Sequence, residues 1–313
     1  MIDLKYFREH ADAVRAGAAA KGIVLDSERI LTLDREQREL KARVEAVAAK
    51  KNAASEGIAK AEGDDRKRLI AELQEVDRAG DADRARLQEV TTALDALLWA
   101  IPNLASPDVR VGKDESQNEI VRTWGKQPTF AFAPKASWEL GAALGAFDTA
   151  RAAKVSGSRF GYLMGWGAKL ELALTRFAMR ELEAAGFTPV IPPVLVSAKA
   201  MDAMGYTMHG GTEETYYFEK DDQYLVGTAE QSIGPMHMDE TFAAADLPKR
   251  YAAFSTCFRR EAGSYGKDTK GIFRVHQFDK VEMFVFTTAE DADAENERLL
   301  ALEERFLQAL ELP

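Results

Sequence analysis

The chain has 313 residues, of which 46% are hydrophobic and 29% charged, a composition typical of a folded protein with about two domains. Its net charge of −10 argues against broad, non-specific coating of nucleic acid and leaves room only for a local basic surface. A single cysteine, Cys257, excludes a disulfide within this sequence and a cysteine-rich zinc site.

The N-terminal sequence MIDLKYFREH contains charged residues from its third position and lacks the apolar core of a secretory signal. No window approaches the run of about 18 apolar residues that a membrane-spanning helix needs. We therefore expect a cytoplasmic protein without a membrane span.

Two long heptad patterns follow a short helical segment at residues 1–26. Core positions recur at alternating spacings of three and four from Ile30 to Ile58, and again from Leu69 to Leu97. This spacing is typical of a coiled-coil seam, and glycines between the two patterns interrupt it. The sequence predicts an antiparallel two-helix arm, each helix on the order of 45–50 Å long.

Acidic and basic side chains are about equally numerous on this arm, so a solvated charged face is one interpretation. Contact with nucleic acid is the other. The candidates for phosphate contact lie near the turn between the helices: Lys60, Arg66, Lys67 and Arg68.

Pro102, Pro107 and a polar run at 112–119 indicate a linker, which predicts domains at residues 1–105 and 106–313.

The second domain mixes helices with short strands. We predict a short helix at 138–147, a connector with a strand at 151–160, and a long amphipathic helix at 162–185. The apolar segment 187–196 contains three prolines, which cannot donate to a ladder, so we place it at a sheet edge or a subunit interface.

Two paired strands are predicted at 216–218 and 223–230, and a final amphipathic helix at 289–310. Under strict alternation, Thr228 and Glu230 share one face of their strand.

A charged hairpin between Phe254 and Phe286 is the most unusual segment. Alternation in its first strand places Arg259 and Glu261 on one face, with Arg260 opposite. In its second strand, one face carries Arg274, His276, Phe278, Lys280, Glu282 and Phe284. Buried charges are costly unless they pair or meet a ligand, so these faces carry either internal ion pairs or a ligand site.

The order of these parts resembles that of a bacterial-type seryl-tRNA synthetase, a class II aminoacyl-tRNA synthetase, from residue 1 to residue 313. GFTPVIPPVLV at 186–196 resembles motif 1, GTAE at 227–230 the serine-binding TxE, and CFRREAGSYGKDTKGIFRVHQFDKVEMF at 257–284 motif 2. The resemblance implies an α+β fold, with an antiparallel two-helix coiled-coil arm before an antiparallel-sheet catalytic domain. That domain is expected to be C-terminally incomplete, since nothing similar to motif 3 follows Glu282.

The resemblance implies a serine–tRNA ligase, which activates L-serine with ATP to seryl-adenylate and transfers the seryl group to tRNA(Ser), with tRNA(Sec) as a further candidate acceptor. Mg²⁺ is expected with ATP, although no metal ligand is assigned in this chain, and a homodimer is implied. Motif 3 would supply an arginine for the ATP phosphates, metal-coordinating side chains and part of the serine pocket. We therefore expect the 313-residue chain to form adenylate poorly or not at all.

The resemblance also implies residue roles. Arg259 would bridge the serine carboxylate and the α-phosphate, and Glu261 would contact ATP as the second catalytic candidate. Serine-binding candidates are Thr228, Ala229, Glu230, Arg259 and Glu282. ATP-binding candidates are Arg259, Arg260, Glu261, Val275 and Phe278. Candidates for the tRNA acceptor stem are Lys267, Lys270 and Arg274.

The alternatives to these roles are structural. Arg259 and Glu261 could form an ion pair with each other, Phe278 could pack in the core, and Thr228 with Glu230 could be a polar pair at a strand end.

Other functions are also open. A non-catalytic class II synthetase-like paralogue binding nucleotide or tRNA fits the missing motif 3, although the intact charged residues favour an enzyme. A purely structural coiled-coil protein explains only residues 27–98. A carrier-protein aminoacyl ligase shares the catalytic core but lacks a long arm.

Overall fold

A computed structural model of the chain describes residues 2–207, 211–262 and 270–313, without the side chains of residues 56, 57, 60 and 211. The chain divides into two compact units, Met1–Arg122 and Thr123–Pro313. The predicted linker after residue 105 falls in the first unit. The functional domains 1–105 and 106–313 stay a prediction.

Four helices make up most of the first unit: α1 (Leu4–Glu9), α2 (Ala11–Ala20), α3 (Ser27–Lys60) and α4 (Gly63–Trp99). The two long helices are those that the heptad patterns predicted, and only residues 61 and 62 separate them.

Ion pairs between the long helices show that they run antiparallel. Arg43 of α3 meets Asp83 of α4 at 3.0 Å, and Lys51, further along α3, meets Asp77, which comes earlier in α4, at 2.8 Å. The partner's number falls as the position on α3 rises, which is the signature of a helical hairpin.

Two core positions of the heptad patterns are not occupied by large apolar residues, and both have a structural explanation. Gln37 is buried, and its Nε2 donates to Oγ1 of Thr91 at 3.0 Å, so its amide is not left without a partner. A Cβ on Gly80 would lie 3.0 Å from Cγ1 of Val47. Glycine therefore lets the two helices approach closely at that point.

The hydrophobic core of the first unit lies at the base of the hairpin. It contains Phe7, Val14, Ile30, Leu33, Leu40, Val90, Leu94, Leu98 and Ile101. Among the described side chains between residues 41 and 89, only Gly80 is buried. Packing therefore anchors the base, whereas the described side chains of the distal half stay partly or fully exposed.

The second unit contains more, shorter elements. In chain order they are α5 (Ser137–Ala143), β1 (Phe147–Asp148), α6 (Thr149–Ser156), β2 (Tyr162–Leu163), α7 (Trp166–Ala184), β3 (Thr188–Val190), β4 (Leu195–Ser197), α8 (Ala198–Ala203), β5 (Tyr216–Phe218), β6 (Gln223–Leu225), α9 (Glu230–Ile233), β7 (Lys249–Phe258), β8 (Gln277–Phe286) and α10 (Ala292–Ala309).

The strand expected within 151–160 is wrong, because α6 covers most of that segment. Oδ1 of Asp148 accepts the backbone N–H of Arg151 at 2.7 Å and caps the start of α6. Gly157, with φ of 91°, follows its last residue. Capping at both ends makes this short segment helical.

The main sheet has the order β3-β7-β8. Strand β3 is parallel to β7, so the sheet is mixed, whereas β7 and β8 pair antiparallel over ten residues each. Strand β3 contains Pro189 and lies at the edge of this sheet, as expected for a proline-containing segment. A second sheet has the order β4-β6-β5, and β1 pairs with β2.

The two faces of β8 have different surroundings. Val281, Met283 and Val285 pack with Leu182 of α7 and Leu302 of α10. The opposite face carries Phe278, Lys280 and Glu282, followed by Phe284 and Phe286, which pack with α9. One face of the hairpin thus belongs to the hydrophobic core, and the other presents charged groups.

Candidate active site

The regular part of the charged hairpin is shorter than predicted. Strand β7 ends at Phe258 and β8 begins at Gln277. The backbone N–H of Arg259 still donates to the carbonyl oxygen of His276 at 3.0 Å. Glu261 has a φ of 52°, in the left-handed region. The interpretation that Arg259 and Glu261 share one strand face is therefore wrong.

The TxE segment is also not a strand, because β6 ends before Val226. The N–H of Phe258 donates to the carbonyl oxygen of Val226 at 2.8 Å, which joins this segment to the end of β7. Thr228 and Glu230 then lie in a tight turn, in which the N–H of Glu230 donates to Oγ1 of Thr228 at 3.3 Å. A turn, rather than strand alternation, places the two side chains together.

Gln231 and Arg259 hold the start of this turn. Gln231 is buried, and its Oε1 accepts the N–H of Gly227 at 2.7 Å. Arg259 donates from Nε to the carbonyl oxygen of the same glycine at 3.1 Å. Ala229, also fully buried, comes immediately before α9 and packs with Ile233 of that helix.

Five polar side chains converge at the turn. Thr228, only 4% exposed, donates from Oγ1 to Oε2 of Glu282 at 2.6 Å. Lys280 donates from Nζ to Oγ1 of Thr228 at 3.0 Å and forms an ion pair with Glu282. The hydroxyl of Tyr206 donates to Oε2 of Glu230 at 2.8 Å. The predicted serine-binding residues Thr228, Glu230 and Glu282 thus meet at one place.

Tyr206 is a hydrogen-bond donor to Glu230 over a wide pH range. Burial raises the pKa of the Tyr206 hydroxyl, and its hydrogen bond to Glu230 raises it further. The phenol therefore keeps its proton at physiological pH.

Arg259 lies against an aromatic ring. Its guanidinium carbon is 5.2 Å from the ring centroid of Phe278, within cation–π range. Phe278 is half-buried, so its ring both covers the guanidinium of Arg259 and stays partly accessible. Glu261, the second catalytic candidate, accepts a hydrogen bond at Oε2 from Nη1 of Arg274 at 2.6 Å.

The other ATP candidates are Arg260 and Val275. The guanidinium carbon of Arg260 is 5.7 Å from the Tyr216 ring centroid, and its backbone N–H donates to the carbonyl oxygen of Glu214 at 2.9 Å. Val275 lines a cavity of about 410 Å³ together with Phe278.

Three of the candidate tRNA contacts lie at the start of α4, where their side chains are exposed. Lys67 pairs with Asp64 and Arg68 pairs with Asp65, both at 3.2 Å. Exposed pairs of this type contribute little, so they do not prevent Arg66, Lys67 and Arg68 from meeting phosphate.

The remaining tRNA candidates have different surroundings. Lys270 lies with Nζ 5.8 Å from the ring centroid of Trp138, and Arg274 is held by its ion pair with Glu261. Lys267 and the side chain of Lys60 lie outside the described part of the chain.

Sequence reasoning missed two residues of this site. Lys280 was on the charged face by alternation, which was the available signal, but no role was assigned to it. Tyr206 is 24 residues before Glu230, and no local pattern connects the two.

The reactivity of the single cysteine, Cys257, tests whether its position on β7 is buried. Cys257 is fully buried, and burial raises the pKa of its thiol. We expect the native chain to react with an aromatic disulfide reagent at pH 8 on the order of 10²-fold or more slowly than the chain in denaturant. Equal rates in the two states would contradict the buried position of Cys257.

Three structural features define the class of this protein. They are a mixed sheet with a charged hairpin, a TxE turn beside that hairpin, and a helical hairpin at the N-terminus. Residues 215–313 match the family described as tRNA synthetase class II core domain (G, H, P, S and T). Residues 1–105 match the seryl-tRNA synthetase N-terminal domain.

Relatives narrow the class to one family. A serine–tRNA ligase of Acidothermus cellulolyticus is 47% identical over this whole chain, and serine–tRNA ligase 1 of Streptomyces avermitilis is 44% identical. The chain spans 74% of the length of each. The chain belongs to the seryl-tRNA synthetase family, as predicted.

Solved structures agree with this assignment. The seryl-tRNA synthetase of Pyrococcus horikoshii, complexed with ATP, has a TM-score of 0.83 and 35% identity, covering 99% of this chain and 75% of that one. The cytoplasmic serine–tRNA ligase of Naegleria fowleri, in complex with AMP, has a TM-score of 0.81 and 28% identity, covering 99% and 72%. Within the described residues, no helix is long and apolar enough to cross a membrane.

Proposed function

We propose that this chain carries the serine- and ATP-binding residues of a serine–tRNA ligase, the enzyme that makes seryl-adenylate from L-serine and ATP and passes the seryl group to tRNA(Ser). The observation that carries this proposal is the convergence of Thr228, Glu230 and Glu282 beside Arg259. Serine presents an ammonium, a hydroxyl and a carboxylate. The carboxylates of Glu230 and Glu282 can accept hydrogen bonds from the ammonium and the hydroxyl of serine. The guanidinium of Arg259 can pair with the serine carboxylate.

In the first step, the serine carboxylate attacks the α-phosphorus of ATP, and pyrophosphate leaves. Arg259 is proposed to contact the attacking carboxylate and the α-phosphate together, since a guanidinium fork can bridge two anions. It positions the reactants and offsets negative charge on the phosphate oxygens. In the second step, the terminal hydroxyl of tRNA attacks the seryl carbonyl, and AMP leaves.

Glu230 and Glu282 are proposed to select serine. Glu230, oriented by Tyr206, accepts from the ammonium, and Glu282 accepts from the serine hydroxyl or ammonium. A pocket that hydrogen-bonds a hydroxyl rejects alanine, because the polar group that would meet the hydroxyl is left unpaired.

The ATP site is proposed to lie next to this pocket. Phe278 would stack on adenine, Val275 and the backbone of Arg260 would line the nucleotide, and Glu261 would contact it. The support is that Phe278 and Val275 line one cavity, and that Phe278 also lies against Arg259.

Mg²⁺ was expected together with ATP. Among residues 2–207, 211–262 and 270–313, no three His, Cys, Asp or Glu side chains converge to hold a metal ion. The described residues therefore do not form a metal site, and no step is assigned to Mg²⁺.

The test is titration of this chain with L-serine, L-alanine and ATP in a calorimeter. We expect serine to bind at least about tenfold more tightly than alanine, because of the hydroxyl contact. Binding of ATP or tRNA without any binding of serine would instead support the non-catalytic paralogue.

We also propose a homodimer. A stripe of apolar side chains on α7 is exposed although such residues are usually buried: Trp166, Leu170 and Leu174, with Trp166 74% exposed. Ile191, just beyond the edge strand β3, is 84% exposed. A second copy of the chain is the proposed cover for this surface.

Replacing Leu170 and Leu174 together with aspartate should convert the dimer to a monomer, because burying two carboxylates in an apolar interface is costly. Light scattering with size-exclusion chromatography would measure the mass at several micromolar. The charge-matched control is Arg176→Asp, on the same helix. A wild-type chain that is monomeric at that concentration would contradict the proposal.

The arm is proposed to contact tRNA through Arg66, Lys67 and Arg68, since ammonium and guanidinium groups near its turn can replace counterions on phosphates. Lys60, Lys267, Lys270 and Arg274 remain further candidates. A cytoplasmic location is part of this proposal, because tRNA and ATP are available there.

A further inference from the structure

We propose that Lys280 is a positioning residue that sets the direction of the hydrogen bonds in the serine pocket and thereby its discrimination against alanine. This inference rests on the proposed function. Lys280 lies in the middle of β8, opposite Ser255 of β7, and its side chain is about one-third exposed.

The first step concerns Thr228. An ammonium group has three donors and no acceptor, so Lys280 can only donate to Oγ1 of Thr228, at 3.0 Å. The backbone N–H of Glu230 donates to the same oxygen at 3.3 Å. With two donors directed at it, the hydroxyl sends its single hydrogen to Oε2 of Glu282, at 2.6 Å.

The second step concerns Glu282. Both the Thr228 hydroxyl and the Lys280 ammonium contact Oε2. Two contacts on one oxygen fix the plane of the carboxylate, and neither of them uses Oε1. Lys280 therefore holds Glu282 in one orientation, with Oε1 as the oxygen for the serine hydroxyl.

The third step concerns charge. Two carboxylates, Glu230 and Glu282, lie with two cations, Arg259 and Lys280, around the TxE turn. Their charges balance, which suits a zwitterion such as serine at neutral pH. Without Lys280 the pocket would carry excess negative charge, which would repel the serine carboxylate.

The experiment measures the affinities of the 313-residue chain for L-serine, L-alanine and ATP by calorimetry. Lys280→Met should lower serine affinity about tenfold or more, because a charge-assisted contact is lost, and should reduce the serine-to-alanine ratio by a similar factor. ATP affinity should stay within about twofold, since the hydrogen bond and the ion pair of Lys280 go to the serine candidates Thr228 and Glu282. Lys280→Arg, which keeps a cation that only donates, should recover most of the serine affinity.

Lys249→Met is the matched control, because Lys249 is on the same hairpin at its opposite end, beside Phe242. Lys280→Gln, which is uncharged and one atom shorter, replaces the methionine variant if that variant does not fold. Serine affinity and a serine-to-alanine ratio within twofold of wild type would overturn the inference. A parallel loss of ATP affinity, or an arginine variant as weak as the methionine variant, would also overturn it. A wild-type chain that does not bind serine would overturn the proposed function, and the inference with it.

Discussion

In a version of this protein that also carries motif 3, replacing Arg259 with alanine should lower serine-dependent ATP–pyrophosphate exchange by about 10²-fold or more, the usual cost of losing one preorganised charge at a transition state. Nε of Arg259 donates a hydrogen bond to the carbonyl oxygen of Gly227, and the guanidinium lies against the ring of Phe278. The arginine is thus held in place before any substrate binds. Its removal would lose both the charge and this preorganisation.

Two measurements separate this role from a structural one. The exchange rate gives the effect on adenylate formation, and titration with a non-hydrolysable seryl-adenylate analogue gives the effect on binding in the same chain. Arg259→Lys should recover only part of the loss, since an ammonium cannot bridge two anions as a planar fork does. Arg305→Ala, which breaks an exposed ion pair on α10, is the control. Exchange and analogue binding unchanged in a folded Arg259→Ala variant would refute the assignment.

Shortening the helical arm should weaken tRNA(Ser) binding on the order of 10²-fold, because several phosphate contacts would be lost together. Arg43 and Asp83 face each other across the hairpin at 3.0 Å. A short Gly-Ser linker from residue 43 to residue 83 can therefore replace residues 44–82. The design keeps the core at the base, including Leu40 and Val90.

The readouts are tRNA binding by gel shift at two salt concentrations, and serine and ATP binding by calorimetry. Serine and ATP affinities should stay within about threefold of wild type, because the serine and ATP candidates all belong to the second unit. A triple variant with Arg66, Lys67 and Arg68 changed to alanine tests the turn alone and should reduce the salt dependence of binding. Unchanged tRNA binding by the shortened chain would refute the role of the arm.

The helical arm was predictable because the period of a helix is a local property. Alternating spacings from Ile30 to Ile58 and from Leu69 to Leu97 require only that each helix bury one stripe. The structure has helices over both patterns, α3 and α4. The family was predictable for a similar reason, because motifs such as GTAE are continuous in the sequence.

The prediction of side-chain direction from strand alternation was wrong beyond the ends of the strands. Strand alternation was extended to Glu261 and Glu230, but β7 stops at Phe258 and β6 stops at Leu225. Beyond a strand end, a turn sets the direction of each side chain, and the left-handed φ of Glu261 depends on such a turn. Thr228 and Glu230 do lie together, but a turn and not strand alternation is the reason.

The sequence by itself thus determined the two-helix arm, the family and the charged hairpin with its TxE segment. Only the tertiary structure decided which groups meet: Lys280 with Thr228, 52 residues apart, and Tyr206 with Glu230. The physical reason is that a hydrogen bond depends on distances of about 3 Å between atoms. Packing of β8 against the TxE turn sets those distances, and no repeat in the sequence encodes them.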